Sequence, residues 1–278
     1  MKTLPEGEGR RPALSQARLA DALLSRPGLW RQVLVVAGTG STNADLLAQA
    51  RSGAREGLVL VAEEQTAGRG RMGRRWISAP GAALTFSVLL RAGAAPPSSL
   101  GWVPLLAGVA VASALRQTAA VDARLKWPND VLAGDAKLAG ILAESWGDAI
   151  VVGIGINVSQ RADELPVPGA TSVFLAAAAS PAAGPPGRER LLIAVLTDLA
   201  RWYQAWLGQD HPGDADGCGL RQEYLRCCAT VGKEVIVLLP GDRSLAGTAV
   251  GVDPAGQLEV RTPSGLVRVS AGDVVHLR

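Results

Sequence analysis

Residues 58–90 read LVLVAEEQTAGRGRMGRRWISAPGAALTFSVLL. The apolar runs at 58–62 and 83–90 are typical of buried strands. Between them, residues 68–76 form a loop with three glycines and four arginines. Glycine permits positive φ and close approach to the backbone, while arginine supplies forked, permanently charged donors. Because a strand precedes and follows the loop, we expect a functional loop on a rigid base.

The charge of this loop is not neutralised nearby, because no Asp or Glu lies between Glu64 and Asp122. Two interpretations fit: a site for a small anionic ligand, and a mobile basic loop or Arg-Gly tract that contacts RNA. The net charge of the whole chain is only +3. Proteins that bind duplex nucleic acid usually carry a larger basic excess. The clustering of arginines in this loop is therefore more informative about function than the net charge of the whole chain.

Composition bounds the protein class. The 278 residues, 48% hydrophobic and 19% charged, predict a globular chain with one large domain or one plus a small appendage. Residues 1–12 lack the apolar core of a signal peptide, and no later apolar run reaches about 18 residues. We therefore expect a soluble, cytoplasmic protein without membrane association.

The cysteine and histidine content excludes several kinds of site. Cys218, Cys227 and Cys228 are odd in number and lack metal-ligand spacing, so we expect reduced, structural cysteines. The two histidines, His211 and His276, lie outside the motif-bearing region. A histidine-based triad, general base or metal site is therefore not expected.

Upstream of the loop, the sequence predicts a helix at 14–24, a strand at 33–36, and a helix at 44–50 that Gly53 ends. Ser41, Thr42 and Asn43 precede that second helix. They either cap it or form a polar pocket at its N-terminus. Only about thirty residues precede the first strand, which leaves no room for an N-terminal winged-helix DNA-binding domain.

Downstream, residues 104–119 predict a buried core helix, and residues 126–144 predict a turn followed by a hairpin. Asn129 and Asp130 supply an amide and a carboxylate at the turn, where they form either an Asx turn or a magnesium contact beside the arginine loop. Lys137 begins an otherwise apolar strand, and it is either functional or a solvated edge residue. A further strand is predicted at 149–158.

The last part of the chain changes character. Residues 159–187, rich in Ala and Pro, predict a surface excursion, and 188–207 predict an amphipathic core helix. Short strands separated by Gly- and Pro-containing turns follow, and they predict a small β-barrel after a mixed α and β domain. These strands are expected at 231–239, 245–252, 258–262, 266–270 and 274–277.

Taken jointly, the motif segments resemble those of the biotin protein ligases. The matching segments, in the order and roughly the spacing of that family, are 38–43, Gln65, 68–76, 126–130, 137–144 and 153–158. The resemblance implies an α+β fold: a catalytic domain with a mixed or antiparallel sheet, similar to that of class II aminoacyl-tRNA synthetases, and an SH3-like barrel. The expected divisions are a tail and short helix (1–30), the catalytic domain (31–228) and the barrel (229–278).

The resemblance also implies a two-step, ATP-dependent reaction with Mg²⁺. Biotin is activated as biotinyl-5′-AMP and then transferred to a lysine of a biotin carboxyl carrier domain of acyl-CoA carboxylases. No enzyme nucleophile is needed, which agrees with the histidine and cysteine content. The implied type is monofunctional, without a DNA-binding domain, and a monomer or weak homodimer.

Carried onto this sequence, the family pattern implies a role for each matched residue. Lys137 and Arg71 are implied as catalytic, and Asp130 as a Mg²⁺ contact. The implied biotin contacts are Ser41, Thr42, Asn43, Gln65, Arg69, Gly70, Arg71 and Lys137. The implied nucleotide contacts are Arg74, Trp76, Asn129, Asp130 and Asn157.

Two rival functions remain. A lipoate ligase would share the fold and the adenylation chemistry but should lack the Gly-Arg loop. A nucleic-acid-binding protein would use the same arginines, and its binding would weaken steeply with salt. Biotin-dependent exchange between ATP and pyrophosphate would separate all three.

Overall fold

The computed structural model describes residues 11–178, 187–208, 210–241 and 243–277. Its larger sheet contains β1 (Gln32–Val36), β2 (Leu58–Ala62), β3 (Ala83–Arg91), β4 (Ala123–Lys126), β5 (Asp130–Ala133), β6 (Ala136–Trp146) and β7 (Ala149–Asn157). The strand order is β1-β2-β3-β7-β6-β5-β4. β1 and β2 are parallel, while the other neighbouring pairs are antiparallel. The predicted mixed sheet is therefore confirmed.

Helices cover both faces of this sheet. They are α1 (Gln16–Leu24), α2 (Thr42–Arg51), α3 (Trp102–Ala119), α4 (Val173–Ala178), α5 (Arg188–Trp206) and α6 (Leu220–Cys227). α3 and α5 pack on one another within the main apolar core. α2 closes a smaller cluster on the opposite face, where Leu46 and Leu47 meet Leu60, Leu89 and Val151. This packing on both faces agrees with the burial of the first eight of the nine residues of β3.

The core helix was predicted correctly. By length and composition the segment Pro97–Ala119 could cross a membrane, but 72% of its most apolar window is buried inside the protein. Val109, Val111 and Leu115 are completely buried. The apolar character of α3 is therefore accounted for by packing.

The C-terminal strands form a second sheet. It contains β8 (Glu234–Leu239), β9 (Arg243–Val252), β10 (Leu258–Thr262), β11 (Gly265–Val269) and β12 (Asp273–His276), in the order β11-β10-β9-β8-β12. All its pairings are antiparallel. The predicted strands are confirmed to within a few residues, and closure into a barrel stays a prediction.

The two sheets share one continuous apolar core. Two buried tryptophans, one at the start of α3 and one directly after β4, also donate to the turn between β9 and β10. Trp102 Nε1 donates to Pro254 O (2.8 Å), and Trp127 Nε1 donates to Gly256 O (3.1 Å). The C-terminal sheet is thus held firmly beside the larger one.

The N-terminal segment is tied to the base of the arginine loop by a buried ion pair. Arg188 Nη1, on the first residue of α5, lies 2.6 Å from Glu63 Oε2, directly after β2. Arg188 Nη2 donates to Pro12 O (2.7 Å), and Leu14 N donates to Glu63 Oε1 (2.7 Å). Several groups therefore satisfy both buried charges.

Three features of the structure differ from the sequence-based expectations or were not anticipated by them. The first helix begins at Gln16 rather than residue 14, because the Ser15 side chain caps it by accepting from Arg18 N. The Trp127–Pro128 peptide bond is cis. β4, α4 and α6 were not predicted, since they span only 4, 6 and 8 residues. Of the predicted excursion at 159–187, residues 179–186 lie outside the described ranges, as do residues 1–10 of the tail.

Candidate functional site

A cavity of about 350 Å³ lies where β6 and β7 pass beneath the loop between β2 and β3. Every residue for which the sequence implied a role lines this cavity. They are Ser41, Thr42, Asn43, Gln65, Arg69, Gly70, Arg71, Arg74, Trp76, Asn129, Asp130, Lys137 and Asn157. The structure therefore brings together all thirteen residues, which come from segments more than a hundred positions apart.

The N-terminus of α2 forms one end of the cavity. Ser41 caps the helix by accepting from Ala44 N, so the capping interpretation holds for this residue. Thr42 N and Thr42 Oγ1 both donate to Gln65 Oε1, at 2.8 and 3.0 Å. Ser87 Oγ, completely buried on β3, lies 2.7 Å from Thr42 Oγ1. Cap and polar pocket are thus both present.

Asn43 occupies a tightly fitted position beside this pocket. It is 4% exposed. Its Nδ2 donates to Leu142 O (3.1 Å) and Glu144 Oε2 (2.8 Å), and its Oδ1 accepts from Ser87 Oγ (2.6 Å). A Cβ at Gly153 would stand 2.2 Å from Asn43 Oδ1. Only glycine on β7 leaves room for this side chain.

The arginine loop folds back on itself as a short hairpin over the cavity. Arg69 and Arg75 form an isolated antiparallel bridge, and Gly70 N donates to Arg74 O (2.7 Å). Of the three loop glycines only Gly73 takes positive φ. Met72, at the exposed tip, is itself left-handed with φ 53°. The expectation that the glycines supply the positive φ was therefore only partly right, because a non-glycine residue carries part of the turn.

The loop arginines find their partners in distant parts of the chain. Arg69 Nη1 lies 3.5 Å from Glu144 Oε1 on β6. Arg74 Nη2 lies 2.7 Å from Asp273 Oδ2, on the first residue of β12. The loop is thus anchored to both sheets, although its sequence neighbours provide no counter-charge.

Arg71 is the most enclosed of the four loop arginines, because it is half-buried while the other three are exposed. Its Nη1 donates to Asn129 Oδ1 and its Nη2 to Gly272 O, each at 3.4 Å. Burial lowers the pKa of Arg71 below its usual value, and the nearby charge of Asp273 opposes that effect. Arginine remains protonated at neutral pH even so. A partly desolvated cation therefore faces the cavity, where an anion would bind it strongly.

Lys137 and Asp130 stand together on the cavity floor. Lys137 Nζ lies 2.6 Å from Asp130 Oδ1. The contact has the distance but not the alignment of a hydrogen bond, so it is an ion pair. Lys137 is 34% exposed in its side chain, and it faces the cavity rather than open solvent. This placement disfavours the simple edge-residue interpretation.

The backbone of Lys137 is held by residues 169–171, where no functional residue was predicted. Lys137 N donates to Gly169 O (2.8 Å), and Thr171 N donates to Lys137 O (2.9 Å). Asn157, 3% exposed, extends the arrangement because its Nδ2 donates to Thr171 O (2.9 Å). Pro166, Val167 and Ala170 of this segment also line the cavity, so part of the stretch that was mostly predicted to be a surface excursion belongs to the site.

Trp76 lies flat against β7. A Cβ at Gly155 would stand 2.3 Å from Trp76 Cε2, so the strand can accept the indole only where it carries glycine. The buried Trp76 Nε1 has no hydrogen-bond acceptor among the described residues. An unpaired buried donor is costly, and a ligand acceptor at this point would satisfy it.

Few of the side chains that line the cavity could coordinate a metal ion. Within the described ranges, no group of three or more His, Cys, Asp or Glu side chains could hold an ion. Asp130 is the carboxylate that lines the cavity beside the arginines, and Lys137 already accompanies it. This donor set suits Mg²⁺ that arrives on nucleotide phosphates and keeps most of its waters.

A larger open groove of about 1130 Å³ also borders the loop. Its walls are the loop itself, the turn at Trp127–Asn129 and two turns of the C-terminal sheet, 255–257 and 270–272. The groove adjoins the smaller cavity, because loop residues line both spaces, as do Asn129, Ile141 and Leu142.

Comparison with known proteins agrees with this arrangement. Residues 38–160 match the biotin/lipoate A/B protein ligase family, and residues 230–277 match the biotin protein ligase C terminal domain. The biotin--[acetyl-CoA-carboxylase] ligase of Mycobacterium tuberculosis is 43% identical over 272 residues, covering 96% of this chain and 97% of that protein. The chain belongs to the biotin protein ligase family.

Two further relatives support membership of the biotin protein ligases. The biotin--[acetyl-CoA-carboxylase] ligase of Paracoccus denitrificans is 37% identical, covering 86% of this chain and 98% of that protein. The structure of the Aquifex aeolicus biotin protein ligase in complex with biotin and ATP superimposes with a TM-score of 0.74 at 28% identity. That comparison covers 90% of this chain and 100% of that one.

Sequence reasoning about this biotin protein ligase chain missed several residues at the site. Ser87 could have been found, because Thr85 and Ser87 are polar at alternate positions of the apolar strand β3, which marks one face. Glu144 lay within a matched segment without an assigned role. Asp273 gave no local signal, since its contact with Arg74 spans about 200 positions.

Proposed function

We propose that this protein is an ATP-dependent biotin protein ligase that forms biotinyl-5′-AMP and transfers biotin to a lysine of a biotin carboxyl carrier domain. The observation that carries the proposal is the single cavity lined by all thirteen residues that the family pattern implies. The similarity over almost the whole length to a biotin--[acetyl-CoA-carboxylase] ligase gives independent support. The carrier domain of an acyl-CoA carboxylase is the proposed acceptor.

In the first step, a biotin carboxylate oxygen attacks the α-phosphorus of ATP, and the bond to the bridging oxygen of pyrophosphate breaks. Both reactants are anions, so positive donors must offset their repulsion. Lys137 and Arg71 are the proposed donors, because both line the cavity and Arg71 is partly desolvated. Thr42 and Gln65 would hold the ureido end of biotin at the α2 terminus, with Ser41, Asn43, Arg69 and Gly70 around it.

The nucleotide is proposed to lie on the Trp76 side of the cavity. The unpaired Trp76 Nε1 supports this assignment, and so does the nearby cation Arg74. Asn129, Asp130 and Asn157 complete the proposed nucleotide contacts. Mg²⁺ bound to the ATP phosphates would reduce their negative charge, and Asp130 is the residue proposed to contact it.

In the second step, the neutral ε-amine of the acceptor lysine attacks the acyl carbon, AMP leaves, and the amine loses a proton. The wide groove beside the hairpin is the proposed approach for the carrier domain, since it shares the hairpin as a wall with the small cavity. A closed hairpin would protect the anhydride from water until the acceptor arrives.

The finer structural assignments belong to the same proposal. We propose a class II synthetase-like catalytic domain at 31–228, an SH3-like domain at 229–278 and a leading segment at 1–30. The match of residues 230–277 to a C-terminal domain supports a division near residue 229, and the match of 38–160 lies within the proposed catalytic domain. The burial of α3 in the core supports a location away from the membrane. A cytoplasmic location and a monomeric or weakly dimeric state stay predictions.

Biotin-dependent exchange of labelled pyrophosphate into ATP tests the function. Exchange should require biotin and magnesium, and lipoate should not replace biotin. Labelled biotin should then reach a carrier domain but not its variant with the acceptor lysine changed to arginine. Exchange with lipoate alone would indicate a lipoate ligase. Salt-sensitive RNA binding without any exchange would indicate the nucleic-acid alternative.

A further inference from the structure

The side chain of Asn43 has no free hydrogen-bond donor. A carboxamide carries two N–H groups. Both are used within the protein, on Leu142 O and on Glu144 Oε2, while Oδ1 accepts from Ser87. Although Asn43 lines the cavity, it can therefore donate to a ligand only by giving up a bond to β6.

The surroundings also keep Asn43 from turning. It is 4% exposed. Its Oδ1 occupies the space that a side chain at position 153 would need, and only glycine leaves that space free. Ser87, completely buried, fixes the acceptor end. A side chain held at both ends in this way suits a rigid support better than a contact that adapts to a substrate.

The two oxygens of Glu144 are divided between this support and the loop. Oε2 accepts from Asn43 at 2.8 Å, while Oε1 lies 3.5 Å from Arg69 Nη1. Glu144 belongs to the sheet, whereas Arg69 begins the hairpin over the cavity. The carboxylate is therefore a fixed counter-charge for a loop that closes the site.

We propose that Asn43 and Glu144 are positioning residues that hold the arginine hairpin closed through Arg69. Asn43 aims the carboxylate, and Glu144 retains the arginine. Since Ser87 contacts both Asn43 and Thr42, the same network joins the proposed biotin pocket to the hairpin. The inference rests on the proposed function for the identity of the ligand, but the contact between sheet and loop does not depend on it.

The first test therefore uses the free protein and needs no ligand. Glu144→Gln keeps an acceptor for Asn43 but removes the charge that attracts Arg69. Amide hydrogen exchange in residues 69–75 should accelerate about two- to fivefold, the size expected for a half-exposed ion pair. Asp148→Asn is the matched control, because it removes a carboxylate that pairs with Arg91 at the β6–β7 turn. Exchange in the loop should be unchanged in that variant.

A double-mutant cycle assigns the effect to the contact. Once Arg69→Gln is present, Glu144→Gln should have little additional effect on loop exchange. Fully additive effects, or loop exchange in Glu144→Gln equal to the parent, would overturn the proposal. Melting temperatures of all variants show whether any of them is simply less folded.

The second test distinguishes a supporting role of Asn43 from direct recognition of biotin by this side chain. Asn43→Ala should accelerate loop exchange in the free protein and shorten retention of biotinyl-5′-AMP. If Asn43 instead reads biotin, the same variant would weaken biotin binding and leave loop exchange in the free protein unchanged, which would refute the inference. If the parent protein failed to bind biotin, that result would count against the proposed function alone. The amide hydrogen exchange results would still test the contact between Glu144 and Arg69.

Discussion

Replacing Gly155 by alanine should damage nucleotide binding much more than folding. The new Cβ would stand 2.3 Å from Trp76 Cε2, whereas ordinary contacts begin near 3.4 Å, so the indole must move by about 1.1 Å. Gly155 is flanked by hydrogen-bonded neighbours on β3 and β6 and cannot retreat easily. The indole adjoins the cavity and can move into it.

The size of the expected loss in ATP binding follows from this difference between a fixed strand and a movable indole. In the free protein Trp76 can relax into empty space, so the melting temperature should fall only slightly. A ligand that fills the cavity would force the ring back, at the cost of about 1–3 kcal/mol typical of overpacking. That cost corresponds to roughly 5- to 150-fold weaker ATP binding, since about 1.4 kcal/mol is tenfold.

Isothermal titration of α,β-methylene-ATP, in which the bond to the leaving group cannot be cleaved, into the biotin-saturated protein measures this effect without turnover, and thermal unfolding measures stability. Gly93→Ala is the matched control, because its Cβ would meet Asp148 at an ordinary 3.8 Å away from the cavity. Unchanged ATP affinity in Gly155→Ala would refute the placement of the nucleotide beside Trp76. A large loss of stability with normal affinity would show that the ring cannot relax as argued.

Three further predictions concern single side chains. Lys137→Ala should fold normally but slow adenylate formation by about a hundredfold or more, as for loss of one preorganised donor; an unchanged single-turnover rate would contradict this. Arg71→Gly should loosen the hairpin so that adenylate escapes and labels lysines indiscriminately, measured as labelling of a bystander protein; labelling confined to the carrier domain would count against it. Burial lowers the pKa of His276, so its protonation disfavours the folded state, and the free energy of unfolding should fall as pH drops below about 6.5. His276→Gln should flatten that dependence in denaturant titrations between pH 7 and 5.

Much of the site was visible in the sequence because each motif carries its own local signal. Gly and Arg clustered in one loop, the Ser-Thr-Asn run before α2 and the Asn129–Asp130 turn could all be recognised without knowing the fold. Their order along the chain, rather than any one of them, identified the family. The structure adds that one cavity unites them.

What the sequence did not reveal depends on contacts between distant segments. The pairing of Arg74 with Asp273 and the support of Lys137 by residues 169–171 arise only after two sheets and a connecting segment have packed together. A carboxylate in the C-terminal sheet has no pattern that ties it to a particular arginine. The expectation for the loop glycines was only partly right for a different reason. Met72 takes a left-handed conformation of the kind that glycine was expected to supply.

The buried pair of Arg188 and Glu63 has a practical consequence for handling the protein. Pro12 and Leu14 supply a carbonyl and an amide to that pair, at the point where the chain leaves β2 for the arginine hairpin. A protease that removed a purification tag together with the first fourteen residues would leave both ionised groups short of a hydrogen bond. Preparations trimmed in this way would be less stable than the untrimmed enzyme, even though the cut lies outside every catalytic motif.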